Sequence, residues 1–254
     1  MMSQNIYDRE DFFSAYMKFI DRSGRDIAED PAWKRLHKLL PSTITGFNIL
    51  DLGCGSGWFS RWAIDNGAKS ISALDISQNM ISKAKAMNEE NPDYSSKIAY
   101  QIADLDIVPL NITGPFDLVF SSLTLHYLAN LRQVVNQVYA ELKPGGSFVF
   151  NVEHPIYTAP RNPGVVENKE TGEKNWGLNS YPDEGERVID WLAPGLRKQH
   201  RTLTGYMEIL LGAGFEITGF IEFLPTKEER ESGEIDGVEY LRPLFLMMSV
   251  RKPE

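Results

Sequence analysis

The apolar residues of this chain alternate between short continuous runs and stripes at helical spacing. The run at 47–51 is followed by Trp58, Phe59, Trp62 and Ala63, which fall three and four residues apart. The same alternation continues along the chain. It predicts strands at 47–51, 70–75, 97–103, 116–120 and 147–152, and helices from 58, from 77, at 131–142 and at 202–211. Strands that alternate with helices indicate a parallel sheet with helices on both faces.

Two strand-like segments close the chain, at 215–223 and 244–250, without an evident helical stripe between them. Two strands joined in this way pair most simply as an antiparallel hairpin. The predicted fold is therefore α/β, a doubly wound, seven-stranded, mostly parallel Rossmann-like sheet with an antiparallel last strand.

The segment from Pro155 to about Gln199 departs from this rhythm. It is rich in Pro, Gly and Asn but also carries four large aromatic residues: Tyr157, Trp176, Tyr181 and Trp191. Disordered segments are poor in aromatic residues, and long loops in compact domains are often functional. We predict one domain over 1–254, with an N-terminal helical cap at 1–42 and a substrate-covering insertion at 155–199.

Composition narrows the class of protein. The single cysteine, Cys54, excludes an intramolecular disulfide and a multi-cysteine metal cluster, and we predict no metal. The net charge is −9, and Lys and Arg are scattered among acids, which argues against a nucleic-acid partner. The N-terminal residues lack a signal-peptide pattern, and the longest apolar stretch, 244–250, is too short to span a bilayer. We expect a cytoplasmic protein without membrane contact; its oligomeric state stays open.

The strongest chemical signal is a glycine-rich turn after the first predicted strand. Gly53, Gly55 and Gly57 stand where this strand turns into a helix, so the backbone can adopt positive φ and a ligand can approach closely. The N-terminus of the helix favours an anion. Asp75 ends the next strand, 18 positions after Gly57, where a carboxylate can accept hydrogen bonds from both hydroxyls of a ribose.

These residues resemble the class I S-adenosylmethionine-dependent methyltransferases. The resemblance rests on Leu50-Asp-Leu-Gly-Cys-Gly-Ser-Gly57 with Asp75, on Ala103-Asp104-Leu105, on the strand and loop at 116–127, and on Leu142-Lys-Pro-Gly-Gly-Ser-Phe-Val. It runs from about 47 to 152 in motifs and to the last two strands in element order. It implies methyl transfer from S-adenosylmethionine by the fold predicted above.

The resemblance also implies how the cofactor is held. The backbone of 53–57 would cradle its methionine end with support from Asp51, and Asp75 would hold the ribose. Ile76 and Met80 would flank the adenine. The complete set of residues implied at the cofactor is Asp51, Gly53, Cys54, Gly55, Gly57, Asp75, Ile76, Met80, Asp104, Leu105 and Ser121. Within it, Asp104 would accept from the adenine amine, and Ser121 would lie beside the sulfonium.

The methyl acceptor is expected to be a small molecule. The chain lacks the Asn/Asp-Pro-Pro-aromatic motif of methyltransferases that modify amino groups of bases or glutamine, and the aromatic insertion suits a partly apolar ligand. Histidine is the natural base near neutral pH, so His154 and His200 are the predicted catalytic residues. Further acceptor contacts are predicted at Tyr16, Arg22, His126 and Tyr157.

Oxygen, nitrogen and carbon acceptors all remain open, and two other readings compete with methyl transfer. A nicotinamide-dependent oxidoreductase shares the strand, the glycine turn and the acid, but Trp58 stands where its fingerprint has a third glycine. A non-catalytic S-adenosylmethionine-binding regulatory protein is the second alternative.

Overall fold

The computed structural model describes residues 3–23, 30–232 and 239–254, without the side chains of residues 20–23 and 239. Its centre is a seven-stranded sheet. The chain forms β1 (Asn48–Leu52), β2 (Ser70–Asp75), β3 (Ile98–Ile102), β4 (Phe116–Ser122), β5 (Leu142–Glu153), β6 (Val165–Glu167), β7 (Lys174–Trp176), β8 (Gly185–Trp191), β9 (Ala193–His200), β10 (Glu216–Glu222) and β11 (Phe245–Arg251).

The order of strands in the main sheet is β10-β11-β5-β4-β1-β2-β3. Strands β1 to β5 pair in parallel, and β11 lies antiparallel between β5 and β10. This confirms the predicted mostly parallel sheet with an antiparallel last strand. The strand order reverses between β1 and β4, which is the point where open α/β sheets bind their ligands.

The helices are α1 (Glu10–Ser23), α2 (Pro31–Leu36), α3 (Trp58–Asp65), α4 (Gln78–Asn88), α5 (Pro92–Lys97), α6 (Leu131–Glu141), α7 (Pro155–Thr158), α8 (Leu203–Gly212) and α9 (Lys227–Glu231). Among these ranges, none is long and apolar enough to cross a bilayer. Single 3₁₀ turns lie at Ile6–Asp8, His37–Leu39, Leu125–Tyr127 and Glu239–Leu241.

The core lies on both faces of the sheet. On one face, Leu50 and Phe148 pack with Val134 and Val138 of α6 and with Leu210 of α8. On the other face, three buried strand residues, Ile49, Leu118 and Phe120, pack with α3 and with Trp33 of α2. Because successive side chains of a strand point to opposite faces, near-continuous apolar strands supply both cores.

Three local features differ from the sequence prediction. The short helix α5 was not predicted, and α9 lies between the last two strands where no helix was expected; both carry too few apolar residues to form a stripe. Strand β5 begins at Leu142 rather than at 147. Its register with β4 shifts between Phe116 and Leu118, so the Pro-Gly-Gly sequence forms an irregularity within the strand.

The predicted insertion, called the lid below (residues 155–199), contains α7, the antiparallel hairpin β6–β7 and all of the antiparallel hairpin β8–β9 except His200. The predicted N-terminal cap divides into two parts. Residues 3–19, called the strap, lie at the carboxyl ends of the strands and contact the β8–β9 hairpin. Trp33 of α2 packs instead against Trp58 and Trp62 of α3.

Candidate active site

The glycine-rich turn, residues 53–57, joins β1 to α3. Gly53, Gly55 and Gly57 have φ angles of 72°, 52° and 80°, the left-handed region that other residues seldom adopt. A Cβ atom on Gly53 would lie 2.0 Å from Oγ1 of Thr124, and one on Gly57 would lie 2.1 Å from the Tyr100 hydroxyl. Backbone angle and crowding therefore both require glycine at these two positions.

Asp75 at the end of β2 faces this turn. The Gly55 N–H donates to Oδ2 and the Ser77 N–H to Oδ1, each at 2.8 Å. One donor per oxygen leaves lone pairs for further donors, such as the hydroxyls of a ribose. Burial raises the pKa of Asp75 above its usual value, although the two N–H donors oppose this effect. The carboxylate is therefore fixed in place while still able to bind a ligand.

Asp51 in β1 is buried beneath the same turn and accepts a hydrogen bond of 2.7 Å from the Ser60 hydroxyl. Burial raises the pKa of Asp51 to about 7, and the nearby charge of Asp75 adds to the shift. The negative charges of Asp51 and Asp75 repel each other. A cation bound near both carboxylates is therefore stabilised.

The chemistry of these two carboxylates fits S-adenosylmethionine. That molecule carries an ammonium and a sulfonium, which the Asp51–Asp75 pair favours, and a ribose diol for Asp75. A dinucleotide would instead bring an anionic pyrophosphate towards Asp51. Oδ1 of Asn5 is buried without a hydrogen-bond partner among the described residues, beside the Ile76 carbonyl to which its own amide donates at 3.2 Å. It can accept from a bound ligand.

The strap is hydrogen-bonded to the loops around this site. Ser3 donates to Oδ1 of Asp104 at 2.8 Å. Asp8 accepts hydrogen bonds from the Ser77 hydroxyl at 2.6 Å and from the Asn79 N–H at 3.0 Å, at the start of α4. These contacts place the strap against both loops, after β2 and after β3, to which the resemblance assigns the adenosine.

The remaining predicted cofactor residues lie around the same edge of the sheet. Cys54, Met80 and Leu105 are buried, and burial raises the pKa of the Cys54 thiol well above its usual value. Asp104 is half-buried and also accepts from the Asp106 N–H at 3.0 Å. Ser121 is fully buried, and its hydroxyl donates to the Leu52 carbonyl at 2.8 Å, so it joins β4 to β1. Their contacts with the cofactor stay predictions.

Of the predicted acceptor residues, Tyr16 contacts the ring of Trp191, and Tyr157 lies 5.8 Å from Nζ of Lys198; both partners belong to the β8–β9 hairpin. Burial raises the pKa of Tyr16 to about 12, and the charge of Asp75 adds to this. His126 is buried, and its Nδ1 accepts from the Glu153 N–H at 3.4 Å. This contact favours a structural role for His126. The side chain of Arg22 lies outside the described residues.

The two predicted catalytic histidines are both buried. Nδ1 of His154 accepts from the Ile156 N–H at 3.1 Å, which caps α7. Its Nε2 lies 3.0 Å from Oε1 of Glu222 but makes no hydrogen bond within the described residues. Nε2 of His200 lies 2.9 Å from the Tyr181 carbonyl, and its Nδ1 lies 2.9 Å from the Thr158 hydroxyl. A carbonyl only accepts, so Nε2 of His200 carries the proton. These bonds favour structural roles, and the catalytic role stays a prediction.

We expect His154→Ala to lower the melting temperature, because the variant loses an N-cap and leaves Glu222 without its partner. The expected cost is about 1–2 kcal/mol of stability. His154→Asn keeps a good capping side chain, so it should cost less. Thermal unfolding of both variants measures the difference. A loss of turnover in His154→Asn without a loss of stability would restore the catalytic assignment.

The buried carboxyl of Asp51 gives a pH-dependent prediction. Its pKa is higher in the folded protein than in the unfolded chain, so folding is penalised increasingly as the pH rises from about 4 through 7. Above pH 7 the penalty amounts to about 4 kcal/mol on the conversion of 1.36 kcal/mol per pKa unit. Asp51→Asn keeps the Ser60 hydrogen bond but does not ionise.

We therefore expect Asp51→Asn to be more stable than the wild type at pH 8 but not at pH 4, and to bind S-adenosylmethionine more weakly. Urea unfolding at the two pH values and calorimetric titration of the ligand measure both effects. If Asp51→Asn and the wild type differ in stability by the same amount at both pH values, the raised pKa of Asp51 is contradicted.

Four residues near the acceptor side were not predicted from the sequence: Tyr7, Tyr127, Glu153 and Lys198. A side-chain hydrogen bond links Tyr7 with Tyr127, and Lys198 forms an ion pair with Glu153. The position of Glu153, directly before His154 at the end of β5, was a usable signal. Lys198 gave none, because its place depends on hairpin register. Within the described residues, no group of three or more His, Cys, Asp or Glu side chains is arranged to hold a metal.

Comparison with known proteins identifies the family of this chain. The family described as "Methyltransferase domain" matches residues 50–150. The crystal structure of an S-adenosylmethionine-dependent methyltransferase from Mesorhizobium loti is 39% identical with a TM-score of 0.80, and the match covers 89% of this chain and 100% of that one. A relative from Haemophilus influenzae is 26% identical over 98% of both chains.

A malonyl-[acyl-carrier protein] O-methyltransferase from Enterobacter lignolyticus is 37% identical over 102 residues, which is 40% of this chain and 37% of that relative. Fold and site together define an α/β enzyme that binds an adenosyl cofactor. The chain belongs to the S-adenosylmethionine-dependent methyltransferases. Both alternatives, a nicotinamide-dependent oxidoreductase and a non-catalytic binder, are thereby set aside.

Proposed function

We propose that this methyltransferase acts on a small molecule held between the strap and the lid. The observation that carries the proposal is the aromatic cluster at this junction: Tyr7, Phe12 and Tyr16 of the strap meet Trp191 of the lid and Tyr127 of the loop after β4. Enclosed aromatic walls with few polar groups suit a small, partly apolar ligand.

The cluster adjoins the cofactor side of the molecule. The charge of Asp75 contributes to the raised pKa of both Tyr7 and Tyr16, so these phenols lie within reach of its field. S-adenosylmethionine supplies a methyl group activated by a sulfonium. The protein's part is to hold the acceptor in line with that group and to exclude water, and alignment of this kind provides a large share of the rate. Strap and lid are the segments proposed to supply this enclosure.

The name of the Enterobacter relative states a protein-linked malonyl acceptor. The match covers little more than a third of either chain, so that acceptor serves here as a competing candidate. The acidic net charge of −9 supports a small molecule over a nucleic acid.

The test is a transfer assay with S-adenosylmethionine labelled in its methyl group. The acceptors are a panel of small phenols, carboxylic acids and amines, with malonyl-acyl carrier protein and bulk RNA as further arms. We expect label in a small-molecule product, and none with Asp75→Ala at a cofactor concentration near the wild-type Kd. Label only in the protein or RNA arm would contradict the proposal.

A further inference from the structure

A buried ion pair lies beside the aromatic cluster. Glu153 ends β5 and Lys198 belongs to β9 in the lid; Nζ of Lys198 is within hydrogen-bonding distance of Oε1 of Glu153. The side chain of Lys198 is only 4% exposed and that of Glu153 15%. Nζ also lies 5.8 Å from the ring centres of both Tyr157 and Trp191. Two charges are therefore withdrawn from water among aromatic rings.

Stability alone gives little reason for this pair. A buried ion pair often stabilises a protein no better than apolar side chains of similar volume, because the loss of hydration offsets the attraction. Burial raises the pKa of Glu153, and Lys198 opposes that shift. A pair that is costly to bury at the carboxyl end of a central strand is a candidate for function.

The second oxygen of Glu153 is the decisive detail. Oε2 is buried and makes no hydrogen bond within the described residues. A buried acceptor without a partner is costly, and such an atom calls for a specific explanation. Lys198 holds the other oxygen, which fixes the orientation of the carboxylate. A ligand that brings an O–H or N–H group to Oε2 would satisfy it.

The groups around Glu153 limit the charge of that ligand. Burial raises the pKa of Glu153, and the charge of Arg242, like that of Lys198, opposes this rise. The other titratable groups near this pair are His126, Tyr127, Tyr157, Arg187, Arg201 and Tyr206. Burial keeps His126 neutral by lowering its pKa well below the usual value. Several cations around one carboxylate disfavour a cationic acceptor. Aromatic walls favour a ring.

The tyrosines connect this pair with the cofactor side. Glu153 contributes to the raised pKa of Tyr127, Tyr127 is hydrogen-bonded to Tyr7, and Asp75 contributes to the raised pKa of Tyr7. Tyr7 and Tyr127 of the aromatic cluster are therefore near enough to Asp75 and Glu153, respectively, to be affected by their charges. An acceptor in the cluster would lie near both carboxylates.

We propose that Glu153, oriented by Lys198, binds the O–H or N–H of an uncharged aromatic acceptor and takes up its proton during methyl transfer. The inference rests on the proposed function and names its acceptor class. A lone pair on the acceptor oxygen or nitrogen forms the bond to the methyl carbon. The carbon–sulfur bond breaks, its electron pair stays on sulfur, and the acceptor proton passes to Oε2 of Glu153.

The experiment compares Glu153→Gln with the wild type on uncharged phenols and N–H heterocycles as two arms of a labelled-methyl assay. We expect kcat to fall about 100-fold, a usual size for the loss of a general base. The Kd of S-adenosylhomocysteine should stay within about twofold by calorimetry. In the wild type, activity should fall as the pH drops through the pKa of Glu153, and Glu153→Gln should lose this acid limb. The control is Glu216→Gln on β10, which removes a surface pair with Arg251.

A second variant keeps the test independent of turnover. Glu153→Met with Lys198→Met replaces the pair by apolar chains of similar length. We expect an unchanged or raised melting temperature, because no charge remains buried. A clearly lower melting temperature would identify a structural pair and overturn the inference.

Three further outcomes would also overturn it. These are full activity in Glu153→Gln, an unchanged acid limb in that variant, and a wild-type enzyme that methylates only cationic amines or other acceptors outside the aromatic O–H and N–H class. In the last case the proposed function stands while the inference falls. If no small molecule is labelled, the proposed function is contradicted, and the inference that rests on it is contradicted with it.

Discussion

Asp75→Ala is expected to weaken the binding of S-adenosylmethionine about 100-fold. The change removes a charged acceptor for the ribose diol and leaves the Gly55 and Ser77 N–H groups without their bonds of 2.8 Å. Hydrogen bonds to charged groups contribute about 1.5–3 kcal/mol each, and about 3 kcal/mol corresponds to this change in Kd. Calorimetric titration of the full chain measures it.

A second ligand that lacks one ribose hydroxyl shows whether Asp75→Ala loses the ribose contact or only the geometry of the turn. The wild type should bind S-adenosylhomocysteine more tightly than its 2′-deoxy analogue, and Asp75→Ala should bind the two almost equally. If the variant keeps the full preference for the hydroxyl, Asp75 does not hold the ribose. A variant that loses affinity equally for both ligands would show that Asp75 supports only the turn.

The second large effect is expected for Gly53→Ala. Gly53 has a φ of 72°, and its new Cβ would meet Oγ1, Cγ2 and Cβ of Thr124 at 2.0–2.6 Å. Left-handed backbone costs a residue with a Cβ about 1–2 kcal/mol, and overpacking adds about 1–3 kcal/mol. We expect a loss of about 2–5 kcal/mol from the two terms together, with cofactor binding abolished in the folded fraction.

Gly46→Ala is the matched control, because Gly46 has a similar φ of 78° but nothing within 4 Å of an added Cβ. It should show the backbone cost alone, with cofactor affinity unchanged. Thr124→Gly in the Gly53→Ala background should recover part of the lost stability. Urea unfolding of the three variants decides the matter, and equal losses in Gly46→Ala and Gly53→Ala would rule out the close contact with Thr124.

The sheet was predictable because its signals are local. Apolar runs mark β1 and β4, helical stripes mark α3 and α6, and the predicted cap Ser77 does accept from the Met80 N–H at 3.1 Å at the start of α4. The exceptions have physical causes. The polar helix α9 forms through a capping box at Thr226 and Glu229, which periodicity does not detect.

That residues 53–57 lie beside Asp75 was predictable, because they stand at the ends of adjacent strands, β1 and β2. The contact between Glu153 and Lys198 was not. Glu153 and Lys198 are 45 positions apart and belong to strands of two different sheets, β5 and β9. The two histidines were chosen by residue type, but both ring nitrogens of His200 and Nδ1 of His154 are hydrogen-bonded within the protein. Sequence supplies candidate chemistry, and only packing shows which groups remain without a partner.

A crystal structure of the full chain with S-adenosylhomocysteine tests the account most directly. We expect one ligand per chain at the carboxyl ends of the strands, with its ribose hydroxyls on Asp75, its amino group near Asp51, and its sulfur facing the aromatic cluster of strap and lid. An adenosyl group bound elsewhere, or turned so that its sulfur faces away from that cluster, would contradict the account.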